Sequence, residues 1–181
     1  MKHEDFNNYE PVTFLEVAGS GLKKLELIHY LALQVLNCRD NEISVLNTRF
    51  TPQLLSIECD RNQLTHLDFT KNESLFLLHC SNNPLTSLKL GNHPDLENLT
   101  LCKSHVSHLN LRHMPKLKNI ACQHNILGSL DLSNTPELRF LYAENNALTE
   151  LDLQDLPNLG FLTCDQNNFE YLDVSCCPNL I

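Results

Sequence analysis

The sequence is poor in several features that mark common protein classes. It has 5 glycines and no tryptophan in 181 residues, which fits neither a collagen-like chain nor a protein built around glycine-rich phosphate-binding loops. Its 13 Lys and Arg residues are outnumbered by 22 Asp and Glu residues and are scattered along the chain. Because nucleic acids and anionic membranes require clustered basic side chains, we expect neither as a partner.

Long apolar segments are also absent. No stretch approaches the roughly 20 consecutive apolar residues that a membrane-spanning helix needs. Residues 1–9 include the acidic pair Glu4 and Asp5 and lack the apolar region of a secretory signal peptide. We therefore expect the chain to be synthesised and folded in a cytoplasm.

Leucine, by contrast, is abundant and regularly spaced. Residues 159–178 read Leu-x-x-Leu-x-Cys-x-x-Asn-x-Phe-x-x-Leu-Asp-Val-x-x-x-Pro, and this frame recurs every 21 residues. Eight repeats start at residues 12, 33, 54, 75, 96, 117, 138 and 159 and cover residues 12–179. We assign residues 1–11 to an N-terminal cap or tail and residues 180–181 to the start of a truncated ninth repeat.

A repeat of this length cannot bury its apolar side alone, so neighbouring repeats must stack. Within residues 33–38, the alternation places Leu36 and Cys38 inward and Val35 and Asn37 outward, which predicts a short strand. We expect a solenoid with a parallel sheet on its concave face and short strands or extended segments on its outer face. The Asn at the ninth position of six repeats can satisfy backbone groups at the turn. Recurrent acids at the fifteenth position are expected to stabilise outer turns.

These residues resemble the leucine-rich-repeat family, whose signature Leu-x-x-Leu-x-Leu-x-x-Asn/Cys-x-Leu they match over nearly the whole chain. The 21-residue frame is similar, more narrowly, to the internally nested bacterial class called IRREKO. Short proteins of that class occur among effectors of intracellular bacteria such as Legionella. The resemblance implies a bacterial effector that is delivered into the host cell cytosol.

The eight cysteines suggest a disulfide framework or a metal site at first sight. Five of them, however, occupy the inward sixth position, where they are expected to act as reduced, small apolar core residues: Cys38, Cys59, Cys80, Cys122 and Cys164. The ligand-like spacing of Cys102, His105 and His108 should leave their side chains pointing apart around the turn. We therefore expect no metal, no cofactor and no catalytic residues.

The function that this pattern favours is a protein–protein interaction module that binds a host or bacterial protein and blocks or recruits it. Covering the active site of an enzyme is one specific form of that function. We expect no enzymatic activity and no small-molecule substrate. The alternative is that the repeats form the substrate-recognition part of a longer enzyme, such as a ubiquitin ligase.

Two patches on the outward positions of the main sheet are candidate binding sites. The first is an aromatic cluster of Phe140, Tyr142 and Phe161, flanked by Glu144 and Asp165. Its aromatic side chains are of the type that dominates interface energetics, although Phe140 and Phe161 could instead pack on each other or on a cap. The second is a charged patch near the N-terminus, with His79 beside it, that comprises Glu16, Arg39, Asp40, Glu58, Asp60 and Arg61.

Overall fold

The computed structural model describes residues 10–181, so most of the predicted N-terminal cap lies outside the described residues. Residues 10–181 form ten strands of three residues each and one short 3-10 helix, Thr48–Phe50. In chain order the strands are β1 (Phe14–Glu16), β2 (Val35–Asn37), β3 (Ser56–Glu58), β4 (His66–Asp68), β5 (Leu77–His79), β6 (Ser87–Lys89), β7 (Asn98–Thr100), β8 (Asn119–Ala121), β9 (Phe140–Tyr142) and β10 (Phe161–Thr163).

Eight of these strands form one parallel sheet in the order β1-β2-β3-β5-β7-β8-β9-β10. In every strand pair, the paired residues are 21 positions apart in the sequence. For example, Leu15 pairs with Leu36 and Leu141 with Leu162. We call each of these eight strands, together with the segment that follows it, a coil, and we number the coils from first to eighth in chain order. The predicted leucine-rich-repeat solenoid with a parallel sheet on one face is therefore confirmed.

The core follows the inward columns of the repeat. The fourth-position residues of the six central coils have no exposed surface: Leu36, Ile57, Leu78, Leu99, Ile120 and Leu141. Burial of one such side chain stabilises the fold by about 1.5–3 kcal/mol. Because each side chain packs on its equivalents one coil away, the apolar core is continuous along the solenoid.

The outer face has less regular structure than the main sheet. There β4 and β6 form a separate two-stranded parallel sheet. The outer segments of the other coils consist of extended backbone and turns. The carboxylates of Asp68, Asp131, Asp152 and Asp173 each accept the N–H two residues later, at 2.8–3.0 Å. This confirms their predicted role in the outer turns. Within residues 10–181 no helix has the length and apolar character needed to cross a membrane.

Asparagine side chains join the coils where the chain leaves the main sheet. Asn62 Oδ1 accepts the N–H of Ile43 in the preceding coil at 2.9 Å. Its Nδ2 donates to the carbonyls of Cys38, 3.0 Å away in the preceding coil, and of Cys59, 3.2 Å away in its own coil. Equivalent amides in other coils make the same contacts: Asn41, Asn83, Asn125, Asn146 and Asn167. We call this column the asparagine ladder.

The ladder is interrupted at Ser104, which occupies the ninth position of the fifth coil. Its hydroxyl oxygen is buried and has no hydrogen-bond partner among the described residues. Leu85 holds the place of Ile43 in the preceding coil, so its N–H is the donor that an asparagine at 104 would bind. The fourth and fifth coils are therefore joined by fewer side-chain hydrogen bonds than their neighbours.

Ser104→Asn is expected to stabilise the protein by about 1–2 kcal/mol, because it adds two to three buried hydrogen bonds. The midpoint of urea denaturation should rise while its slope stays the same. Ser129→Asn, at an exposed position of the outer face, is the control and should leave the midpoint unchanged. A Ser104→Asn midpoint equal to or below that of the wild type would contradict this account of the ladder.

Polar side chains also occur inside the solenoid, in the column formed by the nineteenth position of each repeat. Asn72 has no exposed surface, and its amide donates to the carbonyl of Thr51 at 2.7 Å and accepts from the Thr48 hydroxyl at 2.8 Å. One coil later, His93 is equally buried. Its Nε2 accepts the Gly91 N–H at 3.2 Å, and its Nδ1 has no partner among the described residues. Burial lowers the pKa of His93.

Replacing His93 by Met, the residue at the same position of the next coil (Met114), should reduce the pH dependence of stability. Burial disfavours the protonated form of His93 in the folded protein, whereas a histidine of the unfolded chain takes up a proton below its usual pKa of about 6.5. Titration of His93 therefore costs the wild type no stability above that pH. As the pH falls below it, this residue lowers the free energy of unfolding by up to about 1.4 kcal/mol per pH unit. Urea denaturation at pH 7.5 and pH 5.5 measures the difference.

The control is His105→Met, which removes an exposed histidine. It should retain the pH dependence of the wild type. If His93→Met lost as much stability on acidification as the control, the buried imidazole would not be the group responsible.

Candidate binding face

The candidate binding face is the outward surface of the eight-stranded sheet. It is built by the third- and fifth-position side chains, which leave each strand on the side away from the core, and by the seventh and eighth positions that follow the strand. Since the parallel register places equivalent residues next to each other in successive coils, side chains 21 positions apart form continuous columns. All residues predicted for partner binding lie in these columns.

The structure brings the charged patch together over the first to fourth coils. Arg39 donates to Glu58 Oε2 at 3.1 Å, and Arg61 donates to Asp40 Oδ1 at 3.2 Å. Arg39 also lies 4.0 Å from Asp40. These side chains are partly exposed, so each pair contributes little to stability, about 0–1 kcal/mol. The patch therefore presents ordered charges of both signs to solvent.

Asp60 differs from the rest of this patch because it is half-buried. Its Oδ1 accepts the N–H of Ser81, in the next coil, at 2.7 Å, and burial raises the pKa of its carboxyl group. No Lys, Arg or His among the described residues forms an ion pair with it. Glu58, Asp60 and His79 each offer one potential ligand atom, and these three atoms lie within 4.8 Å of one another.

The aromatic cluster lies on β9 and β10. Phe140 is 43% exposed and pairs in register with Phe161, as the sequence predicts. The ring that packs on Phe161 is that of Tyr142, with centroids 5.2 Å apart and planes tilted by 42°. Packing thus joins two of the three rings on the surface of the sheet and leaves Phe140 open to solvent.

The two acidic residues that flank the cluster differ in how firmly their carboxylates are held. Glu144 Oε2 accepts the hydroxyl of Thr163, in the next coil, at 2.6 Å, so this carboxylate is held beside the aromatic rings. Asp165 is exposed, and its carboxylate is 3.4 Å from the side-chain amide of Gln166. An acidic border therefore adjoins the aromatic surface.

A feature that the sequence analysis missed is the backbone conformation of the eighth position. Every eighth-position residue has a positive φ, from 52° to 63°: Gly19, Asp40, Arg61, Asn82, Lys103, His124, Asn145 and Gln166. This left-handed conformation disfavours β-branched residues, and the column contains none. That composition was the available signal. Two residues of the charged patch, Asp40 and Arg61, are thus fixed by a backbone turn and not by a strand.

The cysteines lie mainly behind this face. Cys38, Cys59, Cys80 and Cys122 are buried free thiols and Cys164 is partly buried. Burial raises the pKa of Cys38 to about 12, so the thiol stays protonated at neutral pH and is a poor nucleophile. Cys102 lies on the face itself, and its thiol donates to Gln123 Oε1 at 3.1 Å. In residues 10–181, Cys102, His105 and His108 do not converge on a common point.

Three solved structures place this architecture among known proteins. The functional domain of InlJ from Listeria monocytogenes, described as including a cysteine ladder, superposes with a TM-score of 0.71 at 26% identity, covering 93% of this chain and 42% of that one. YopM, a leucine-rich effector protein from Yersinia pestis, gives 0.65 at 27% identity, covering 88% and 51%. TLR13, in a complex with ssRNA13, gives 0.72 at 22% identity, covering 93% and 27%.

These similarities establish the fold as a leucine-rich-repeat solenoid like those of bacterial InlJ and YopM. The chain spans about half or less of each of these structures. In this chain Cys38, Cys59 and Cys80 occupy the same inward position of three successive coils. No protein-family model matches the sequence, and no curated protein does.

Proposed function

We propose that this chain is a protein-binding module that docks a partner protein on the aromatic cluster of Phe140, Tyr142 and Phe161. The observation that carries the proposal is the exposed Phe140 beside the packed Tyr142–Phe161 pair on the outward surface of the main sheet. Aromatic rings that are already ordered lose little conformational entropy on binding and bury a large area. Partner contacts at such rings are typically the strongest of an interface.

The charged patch is the second part of the proposed interface. Its ion pairs hold Arg39, Glu58 and Asp40 in fixed positions before a partner arrives. Charges of this kind control the rate and the orientation of association more than the affinity. With a formal net charge of -9, the chain favours a partner surface that carries basic residues around an apolar centre.

We further propose that the module acts as a bacterial effector or effector regulator, and that it blocks or recruits its partner in the host cell. The similarity to YopM, described as an effector protein, supports this role. A concave sheet suits a convex partner, so covering the active site of an enzyme is a specific form that can be tested. The chain itself supplies binding and no chemical step in this account.

Affinity capture with paired variants tests the binding surface. The triple variant Phe140→Ala, Tyr142→Ala and Phe161→Ala should lose the partner that the wild type retains. The control triple removes exposed apolar side chains outside the main sheet, at Val45, Ile126 and Tyr171, which are 71%, 54% and 75% exposed. It should retain the partner, and both proteins should unfold cooperatively.

With the captured partner purified, Tyr142→Ala and Phe161→Ala should each weaken binding at least about tenfold, as expected for central aromatic contacts. If the partner is an enzyme, stoichiometric wild-type protein should lower its activity and the triple variant should not. Equal affinity for the wild type and both single variants would exclude the aromatic cluster, and loss of capture only in the control would assign binding to the outer face.

A further inference from the structure

We propose that Glu58, Asp60 and His79 form a binding site for a divalent transition-metal ion on the concave face. The site lies within the charged patch and contains neither the aromatic cluster nor any cysteine. It overlaps the proposed interface at Glu58, but metal binding requires no partner, because the ligand atoms, their support and their charge all come from this chain.

The fold fixes where the three side chains start. Glu58 and His79 are the last residues of β3 and β5 and are direct neighbours in the parallel register. Asp60 follows Glu58 by two residues, on the same side of the strand. The backbone of two adjacent coils therefore sets the spacing of all three groups, as a preorganised site requires.

The distances between the three ligand atoms leave room for an ion. The three ligand atoms lie within 4.8 Å of one another, yet no hydrogen bond or ion pair joins His79 to either carboxylate among the described residues. In octahedral or tetrahedral geometry, a metal bound at about 2.0–2.2 Å to each ligand holds neighbouring ligand atoms about 2.8–3.6 Å apart. The three side chains are partly exposed, so they have room to rotate towards a bound ion.

Neighbouring groups hold the carboxylates in place. Asp60 Oδ1 accepts the Ser81 N–H, and the Ser81 hydroxyl in turn accepts the N–H of Cys102 at 2.9 Å. Glu58 receives the Arg39 guanidinium on one oxygen, so its other oxygen is available. Such contacts orient ligands in metal sites, and their loss typically weakens metal affinity about 10–100-fold.

The electrostatics also favour a cation. Arg39 and Arg61 pair with Glu58 and Asp40, whereas the half-buried Asp60 has no cationic partner in the described part of the chain. A divalent ion would compensate the two neighbouring carboxylates and accept the imidazole as its third ligand. Two oxygens and one nitrogen suit first-row transition ions, and the remaining coordination positions would face solvent on the concave side.

The test uses the whole chain, kept reduced and stripped of metal with a chelator that is then removed. Mn²⁺ is titrated while the free ion is counted by electron paramagnetic resonance, because Mn²⁺ prefers oxygen and nitrogen to thiolate ligands. A parallel titration with Co²⁺ reports sulfur ligation through its charge-transfer absorption. We expect one ion per chain and no sulfur band from the first equivalent.

Glu58→Gln and His79→Gln should each weaken binding at least about tenfold, which is the lower end of what loss of a supporting group costs. The matched controls Glu144→Gln and His124→Gln remove the same groups elsewhere on the same face and should bind as the wild type does. Circular dichroism verifies that each variant is folded. The proposal is overturned if neither ion saturates at one per chain, if the ligand variants bind as tightly as the controls, or if the first Co²⁺ shows a sulfur band.

Discussion

Each coil of this solenoid must turn out of its strand, and the turn leaves backbone N–H and C=O groups in an apolar interior. A buried group without a hydrogen-bond partner costs about 1–3 kcal/mol, so a series of unsatisfied turns would be incompatible with a stable protein. The asparagine amide resolves this because it has both donor and acceptor atoms. In Asn62 one side chain serves the N–H of Ile43 and two carbonyls, and so joins two coils.

The geometry of the binding face follows from this joint. Since the ladder fixes the distance and register between coils, the residues before and after it are held in columns. Asp60 can therefore reach Ser81 in the next coil, and Glu144 can reach Thr163. The eighth-position residues have a positive φ, so the chain turns next to the ladder. Most of these residues are polar or charged, and they lie at the edge of the sheet. Ordered surface charges and ordered aromatic rings are both products of the same repeat.

Much of the fold could be predicted because the repeat length and the inward columns are encoded locally. Leu36 and Cys38 alternate with outward residues, and this alternation fixes the strand. Side-chain contacts between residues of different coils could not be predicted from the sequence. The sequence placed Phe161 beside Phe140, but its ring packs on Tyr142, because side-chain rotation decides between the direct and the diagonal neighbour. The burial of His93 and the convergence of Glu58, Asp60 and His79 also require the three-dimensional path.

The claim that the asparagine ladder holds the coils together is tested most directly by native-state hydrogen exchange, measured residue by residue with nuclear magnetic resonance. The amide hydrogens that the ladder binds, such as those of Ile43, Leu64 and Val106, should exchange slowly. The amide hydrogen of Leu85, which lies opposite Ser104, should exchange much faster than these three. Equal protection of Leu85 and its ladder-bound equivalents would contradict the account.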